Sequence, residues 1–226
     1  MDVERVPALG GAALSDCIRT NSLGFYKLNG KRAFDVVFGV LILAATWPLL
    51  ALLILVVACD GGSPVFAHTR IGQGGRRFGC LKLRTMVPDA EARLSELLAS
   101  DPALADEWQR TRKLANDPRV TRLGRFLRRT SLDELPQIIN VIRGEMSLVG
   151  PRPVTAEELA RYGSCADAYM SVRPGLTGRW QVMGRNDISF PERVLLDQAY
   201  TREMSFLEDL KIVLLTTRTV LAADGR

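Results

Sequence analysis

VVFGVLILAATWPLLALLILVVAC, residues 36–59, runs for 24 residues without a charge and is closed by Asp35 and Asp60. At about 1.5 Å per helical residue it reaches roughly 36 Å, enough to cross the hydrocarbon of a bilayer. It starts too far into the chain for a cleaved signal peptide, is too long, and lacks the small-residue cleavage pattern. Two readings compete. Hydropathy alone describes a single-span anchor. Pro48, at the middle of the run, points elsewhere. Proline removes a helical hydrogen bond and clashes with the preceding turn, at a cost of about 3 kcal/mol, so a kink is expected there. The flanks are basic on both sides: Lys27, Lys31 and Arg32 before; Arg70, Arg76, Arg77, Lys82 and Arg84 after. The positive-inside rule then assigns no orientation. Both features are natural in a helix that enters, bends at Pro48 and returns to the same face. Backbone groups freed at such a break need partners, and the Thr46 hydroxyl is a candidate.

Around this run the chain has 226 residues, 47% of them apolar, enough for one domain plus an attachment. The net charge of +5 and pI near 9.3 favour an anionic partner: phosphate, nucleic acid or anionic lipid. Four cysteines, Cys17, Cys59, Cys80 and Cys165, are scattered without a CxxC spacing. That argues against a zinc site or a disulfide framework, and reduced thiols fit a cytosolic setting. His68 is the single histidine, so the chemistry must rest on carboxylates, lysines and arginines.

Residues 1–30 show little periodicity and read as a loose tail. Over 64–86, PVFAHTRIG and FGCLKLRTM flank GQGG, the pattern of a β-hairpin whose glycines supply turn dihedrals. Residues 89–115 read as a solvated helical pair. RVTRLGRFLRR, 119–129, sets Arg119, Arg122, Arg125, Arg128 and Arg129 against Val120, Leu123 and Leu127. Such a basic amphipathic helix suits anionic headgroups or phosphates, or is simply a solvated face. MSLVG, 146–150, reads as a short strand, RPGLTGRWQVMGR, 173–185, as a glycine-punctuated loop, and 190–203 and 205–222 as helices.

TSLDELPQIINVIRGEMSLVGPRP, 130–153, carries the chemistry. Ser131 with Glu134 three residues on predicts a capping box opening a helix over 132–143. Asp133 and Glu134 then lie in a first turn, where the helix dipole keeps acids ionised and attracts phosphate. Magnesium typically takes one or two carboxylates plus substrate phosphate oxygens, and an ionised aspartate can attack phosphorus. Taken alone, the pair is equally a capping glutamate beside a first-turn acid. In GPRP, two prolines and a glycine fix the backbone around Arg152, and a guanidinium so aimed grips phosphate with two hydrogen bonds; the plain alternative is a rigid turn. Lys82, Arg84 and Arg185 are further phosphate candidates.

Together these segments closely resemble the bacterial sugar transferases, the monotopic phosphoglycosyl transferases. The resemblance is carried by KRAFDV, the apolar run with its central proline, SPVF, RIG, KLRTM, DPRVTRLGRFLRRTSLDELPQ, GEMSLVGPRP, RPGLTGRWQV, GRND, ERVLLDQAY and SFLEDLKIVLLT, in that order across about residues 31–220. The length and the NDPRV segment look most like enzymes that initiate exopolysaccharide repeat units. The resemblance implies transfer of a sugar-1-phosphate from a UDP-sugar to a polyprenyl phosphate, usually undecaprenyl phosphate, with release of UMP. It implies attack by Asp133, Mg²⁺ held with the help of Glu134, and substrate contacts from Lys82, Arg128, Arg152 and Arg185, with Asp197 a further site member. It also implies a re-entrant helix over 31–59 and a catalytic domain over 60–226 on the cytoplasmic face of the bacterial inner membrane. Trp47, Arg179 and Met183 depart from the family pattern, which often has serine, a bulky apolar residue and a small polar residue there. The multi-span region of longer relatives is missing, so a minimal catalytic unit is expected.

The expected architecture is therefore α+β, mainly helical, with a small β-hairpin, membrane-associated helices and one re-entrant helix kinked at Pro48. The expected partners are a UDP-sugar, a polyprenyl phosphate and the membrane, without nucleic acid; a homo-oligomer is compatible with this. The competing class is a membrane-anchored basic protein that binds anionic lipid or nucleic acid. It uses the arginine stripe and leaves Asp133, Glu134 and GPRP without a task.

Overall fold

The computed structural model describes residues 26–111, 114, 116–183 and 188–221. A π-helical turn, Tyr26–Gly30, leads directly into α1 (Lys31–Cys59), so the last part of the expected tail is wound into the fold. α1 is one unbroken helical element with Pro48 inside it. Thr46 Oγ1 donates to Ile42 O at 2.7 Å. The hydroxyl therefore serves its own preceding turn rather than the Ala44 carbonyl, which Pro48 leaves without its usual donor.

α1 is long and apolar enough to cross a membrane, and only 17% of its most apolar window is buried. It does not stand clear of the rest. Phe34 at its start packs with Phe78, Val141, Met146, Val149, Tyr200 and Ile212. Leu50, Leu53 and Val57 near its end pack with Leu83 and Leu127. Both ends of the helix thus rest on the same body. The opposite side leaves Leu41, Trp47, Leu52 and Leu55 exposed.

The N-terminal end is tied by a buried polar network. Lys31 Nζ lies 2.7 Å from Asp209 Oδ2 and 3.5 Å from Asp35 Oδ1. Asp35 accepts from Ser147 Oγ and from the Leu148 N–H. The Tyr200 hydroxyl sits 2.7 Å from Asp209 Oδ1. One lysine so offsets two buried carboxylates, and hydroxyl and amide donors serve Asp35 Oδ1 and Asp209 Oδ1, while Asp35 Oδ2 is buried without a hydrogen-bond partner.

The hairpin forms as expected. β1 (Val65–Ile71) pairs antiparallel with β2 (Arg77–Leu83), and Gly74 and Gly75 turn the chain at positive φ. α2 (Ala90–Ser100) and α3 (Pro102–Thr111) follow as the solvated pair. α4 (Arg122–Arg129) is capped by Thr121, whose side chain accepts from the Gly124 N–H. Arg119 lies before this helix, its guanidinium buried on Asp117 at 2.7 Å, so the basic stripe is shorter than the sequence spacing indicates. α5 (Gln137–Arg143) follows the acid pair. β3 (Ser147–Val149) pairs in parallel with β4 (Gly175–Thr177), with α6 (Ala156–Ala160) and α7 (Ala166–Met170) between them. β4 and α8 (Arg179–Met183) occupy the segment expected as a loop. Two of its glycines are spacing devices: a Cβ on Gly175 would sit 2.1 Å from Gly150 N, and one on Gly178 2.3 Å from Gly150 O. α9 (Phe190–Glu203) and α10 (Phe206–Leu221) close the chain. The result is mainly helical with two small sheets.

Candidate active site

Asp133 and Glu134 stand on a single 3-10 turn, Leu132–Glu134. The capping box does not form. Ser131 is left-handed (φ 57°) and makes no side-chain cap. Pro136, which lacks an N–H, becomes the residue that opens α5, and Glu134 reaches out to Lys82 instead of back to Ser131. Glu134 Oε1 lies 2.7 Å from Lys82 Nζ, on β2.

Asp133 is 8% exposed. Burial, reinforced by the adjacent Glu134 carboxylate, pushes it up to about 6 against the pull of Lys82 and Arg128. The first-turn argument for full ionisation therefore fails for Asp133: one 3-10 turn carries little dipole, and desolvation wins. For Glu134, burial also opposes charge, but Lys82 and Arg152 outweigh it and hold the carboxyl below the usual glutamate range. Two adjacent acids are thereby driven apart, one firmly anionic and one poised near neutrality, the usual sign of distinct chemical roles.

The segment after β2 sets the cations. Arg128 Nε donates to Thr85 Oγ1 at 2.9 Å. Thr85 is buried, and its carbonyl accepts from Thr121 N. α4 approaches so closely that a Cβ on Gly124 would stand 1.9 Å from Thr85 O. KLRTM and DPRVTRLGRFLRR are thus two halves of one clasp, which puts both Lys82 and Arg128 within electrostatic reach of Asp133. Arg152 comes from the loop after β3, exposed, its guanidinium 5.8 Å from the Trp180 ring centroid. Arg193 lies over the same ring at 4.6 Å. Asp197, buried on α9, accepts from the Tyr162 hydroxyl at 2.9 Å. Burial pushes it up to about 7 against that hydrogen bond and against Arg152 and Arg193.

Lys82, Arg128, Arg152, Asp133 and Glu134 are therefore brought within electrostatic reach of one another. Arg185 lies outside the described residues. Three participants were not read from sequence. Thr85 carries no signal beyond its place in KLRTM. Arg193 lies on α9 as an ordinary helical arginine. Arg70, paired with Glu158 at 3.0 Å, adds to the cationic field on Glu134; alternation along β1 puts it on the face of Lys82. The charge at Arg179 is met by Glu203 and Glu208, each at 2.7 Å, which ties α8 to the end of α9 and the start of α10.

The site is thus an acid pair under several cations, on a turn whose Leu132 and Leu135 pack with the end of the long apolar helix α1. The family model for bacterial sugar transferases matches residues 26–223, and the chain belongs to that family. It is 50% identical over 195 residues to a UDP-galactose-lipid carrier transferase of Erwinia amylovora and 47% identical over 195 residues to an undecaprenyl-phosphate galactose phosphotransferase of Salmonella typhimurium. Each match takes in 86% of this chain and 41% of the relative, so the chain spans about two fifths of their length. Against an exopolysaccharide production protein, ExoY, of Sinorhizobium fredii it is 51% identical over 196 residues, 86% of this chain and 87% of that protein.

Proposed function

We propose that the protein transfers a sugar-1-phosphate from a UDP-sugar to a polyprenyl phosphate, the first membrane step of an exopolysaccharide. The observation that carries this reading is the split between the two acids: Asp133 buried and raised to about 6, Glu134 held anionic by Lys82. At neutral pH Asp133 is mostly ionised, yet poorly solvated, which suits a carboxylate nucleophile. Its oxygen attacks the β-phosphorus of the donor. The bond from that phosphorus to the bridging oxygen breaks, and the electron pair leaves with UMP. An oxygen of the lipid phosphate then attacks the same phosphorus, the bond to Asp133 breaks, and the carboxylate is regenerated. Lys82, Arg128 and Arg152 hold the non-bridging oxygens and offset charge as it builds.

The donor set fits magnesium. Asp133 and Glu134 supply two adjacent carboxylates, and the remaining ligands would come from water and substrate phosphates, the ordinary pattern for that ion. When bound, Mg²⁺ neutralises diphosphate charge. Glu134, with Asp133 beside it, would hold the ion.

Membrane attachment belongs to the same proposal. Both ends of α1 pack on one body while its outer face is apolar, which favours a helix dipping into one leaflet over a helix crossing both. With the membrane-proximal site on the cytoplasmic face, cytosolic UDP-sugar reaches it directly. The names of the Erwinia and Salmonella relatives favour galactose as the first sugar to try.

The test uses full-length protein in detergent with Mg²⁺ and UDP-galactose but no lipid acceptor. Intact mass should gain one hexose phosphate, and Asp133→Asn should gain none. Full turnover by Asp133→Asn would falsify the nucleophile assignment.

A further inference from the structure

Beyond the acid pair, a cavity of about 520 Å³ opens where the end of α1 meets the start of α4. Val56 lines it from α1 and Asp60 from the cap of that helix, Arg84 and Met86 from the segment after β2, Arg122 and Leu123 from α4. It is a separate place from the catalytic pocket: Thr85, between Arg84 and Met86, is buried and engages Arg128.

Three observations say what such a cavity takes. Arg84 donates one Nη to Val57 O at 2.8 Å, while its other Nη is buried without a hydrogen-bond partner. Arg122 is exposed at the cavity, so the lining carries two arginines against one carboxylate, Asp60. Finally, Leu49, Leu52 and Val56 are 41%, 56% and 42% exposed. Their spacing of three and four residues makes one apolar stripe along α1, and Val56 ends that stripe inside the cavity.

We infer that this cavity holds the phosphodiester headgroup of an anionic membrane phospholipid, with an acyl chain lying along Leu49, Leu52 and Val56. The guanidinium groups of Arg84 and Arg122 take the phosphate, and the apolar wall takes the first methylenes. The lipid would be a resident ligand that fixes how the end of α1 sits at the interface. This rests on the reading that α1 lies in the bilayer.

The experiment has two readouts. In vesicle flotation, full-length protein is mixed with phosphatidylcholine vesicles containing phosphatidylglycerol. In native mass spectrometry, detergent-purified protein is supplied with equal phosphatidylglycerol and phosphatidylcholine. Wild type should float and retain phosphatidylglycerol preferentially. Arg122→Gln should lower that retention about fivefold, the effect of one basic residue near an anionic surface, and Arg84→Gln should lower it as well. Arg125→Gln, on the same helix but outside the cavity lining, should leave it unchanged. Equal retention of both lipids overturns the proposal, as does an Arg125→Gln effect equal to that of Arg122→Gln, which would mean diffuse surface charge. Displacement by inorganic phosphate alone would mean a free-anion site and overturn the lipid assignment. Failure to float on any vesicle would overturn the membrane reading itself, whereas flotation without lipid preference overturns only the cavity.

Discussion

Lys82 Nζ stands 2.7 Å from Glu134 Oε1, across the gap between β2 and the 3-10 turn. The contact does two things. It keeps Glu134 charged in a partly buried place. Through that charge it leaves Asp133 with a like neighbour, which helps raise the aspartate. Lys82→Met should remove both the grip on substrate phosphate and the cation on Glu134. A fixed electrostatic partner of a phosphoryl group contributes a factor of about 100 or more in turnover. The expected loss is of that order, read as kcat with saturating donor. A rise in KM alone, with kcat unchanged, would contradict this role.

Asp133 sets a pH dependence for stability. Its carboxyl titrates near 6 in the fold against 3.8 ordinarily, so between those values the native state binds more protons than the unfolded chain. Stability therefore falls as pH rises through that window, and above 6 the folded protein carries the full cost. Two pH units correspond to about 3 kcal/mol, as an upper bound. Asp133→Asn should melt at a higher temperature than wild type at pH 7.5 and at nearly the same temperature at pH 4. Scanning calorimetry in one detergent at both pH values decides it. The catalytic rate should in turn fall off below pH 6 as the carboxylate takes up a proton.

The same aspartate shows where sequence reading stops. The hairpin, β3 and helices α9 and α10 were legible because alternation, GQGG and apolar periodicity are local signals. The residue types of the site were legible too: acids at 133 and 134, cations at 82, 128 and 152. Their state was not. Ser131-x-x-Glu134 has the letters of a capping box, but a left-handed Ser131 and the proline at 136 redirect the turn, and Glu134 finds a better partner 52 residues away. Likewise GLTG looks like a loop until Gly150 and Gly175 meet backbone to backbone. These outcomes depend on long-range packing, which no local pattern records.

Gly124 is held by that packing. A methyl there would overlap Thr85 O, so Gly124→Ala must push α4 off the KLRTM segment. Overpacking of this kind costs about 1–3 kcal/mol. The milder Thr85→Val keeps the volume and removes only the acceptor of Arg128 Nε. It should fold normally and raise KM for the donor several-fold, about the worth of one charge-assisted hydrogen bond. Circular dichroism melts separate the two: a lower midpoint for Gly124→Ala, little change for Thr85→Val.

The Lys31–Asp209 pair joins the start of α1 to α10 at 2.7 Å, with both side chains almost wholly buried. Removing Asp209 leaves Lys31 with Asp35 alone, at 3.5 Å, and strips the Tyr200 hydroxyl of an acceptor. Breaking one side of a buried pair typically costs about 3–5 kcal/mol. Asp209→Ala should therefore be strongly destabilised, with the loss concentrated where α1 meets the catalytic body. Limited proteolysis should show cleavage near Gly30 well before global unfolding. If Asp209→Ala melted like wild type and resisted protease there, the network would be incidental. Replacing all three charges together, Lys31→Met with Asp35→Asn and Asp209→Leu, should recover part of the loss, because no carboxylate is then left buried without its cation.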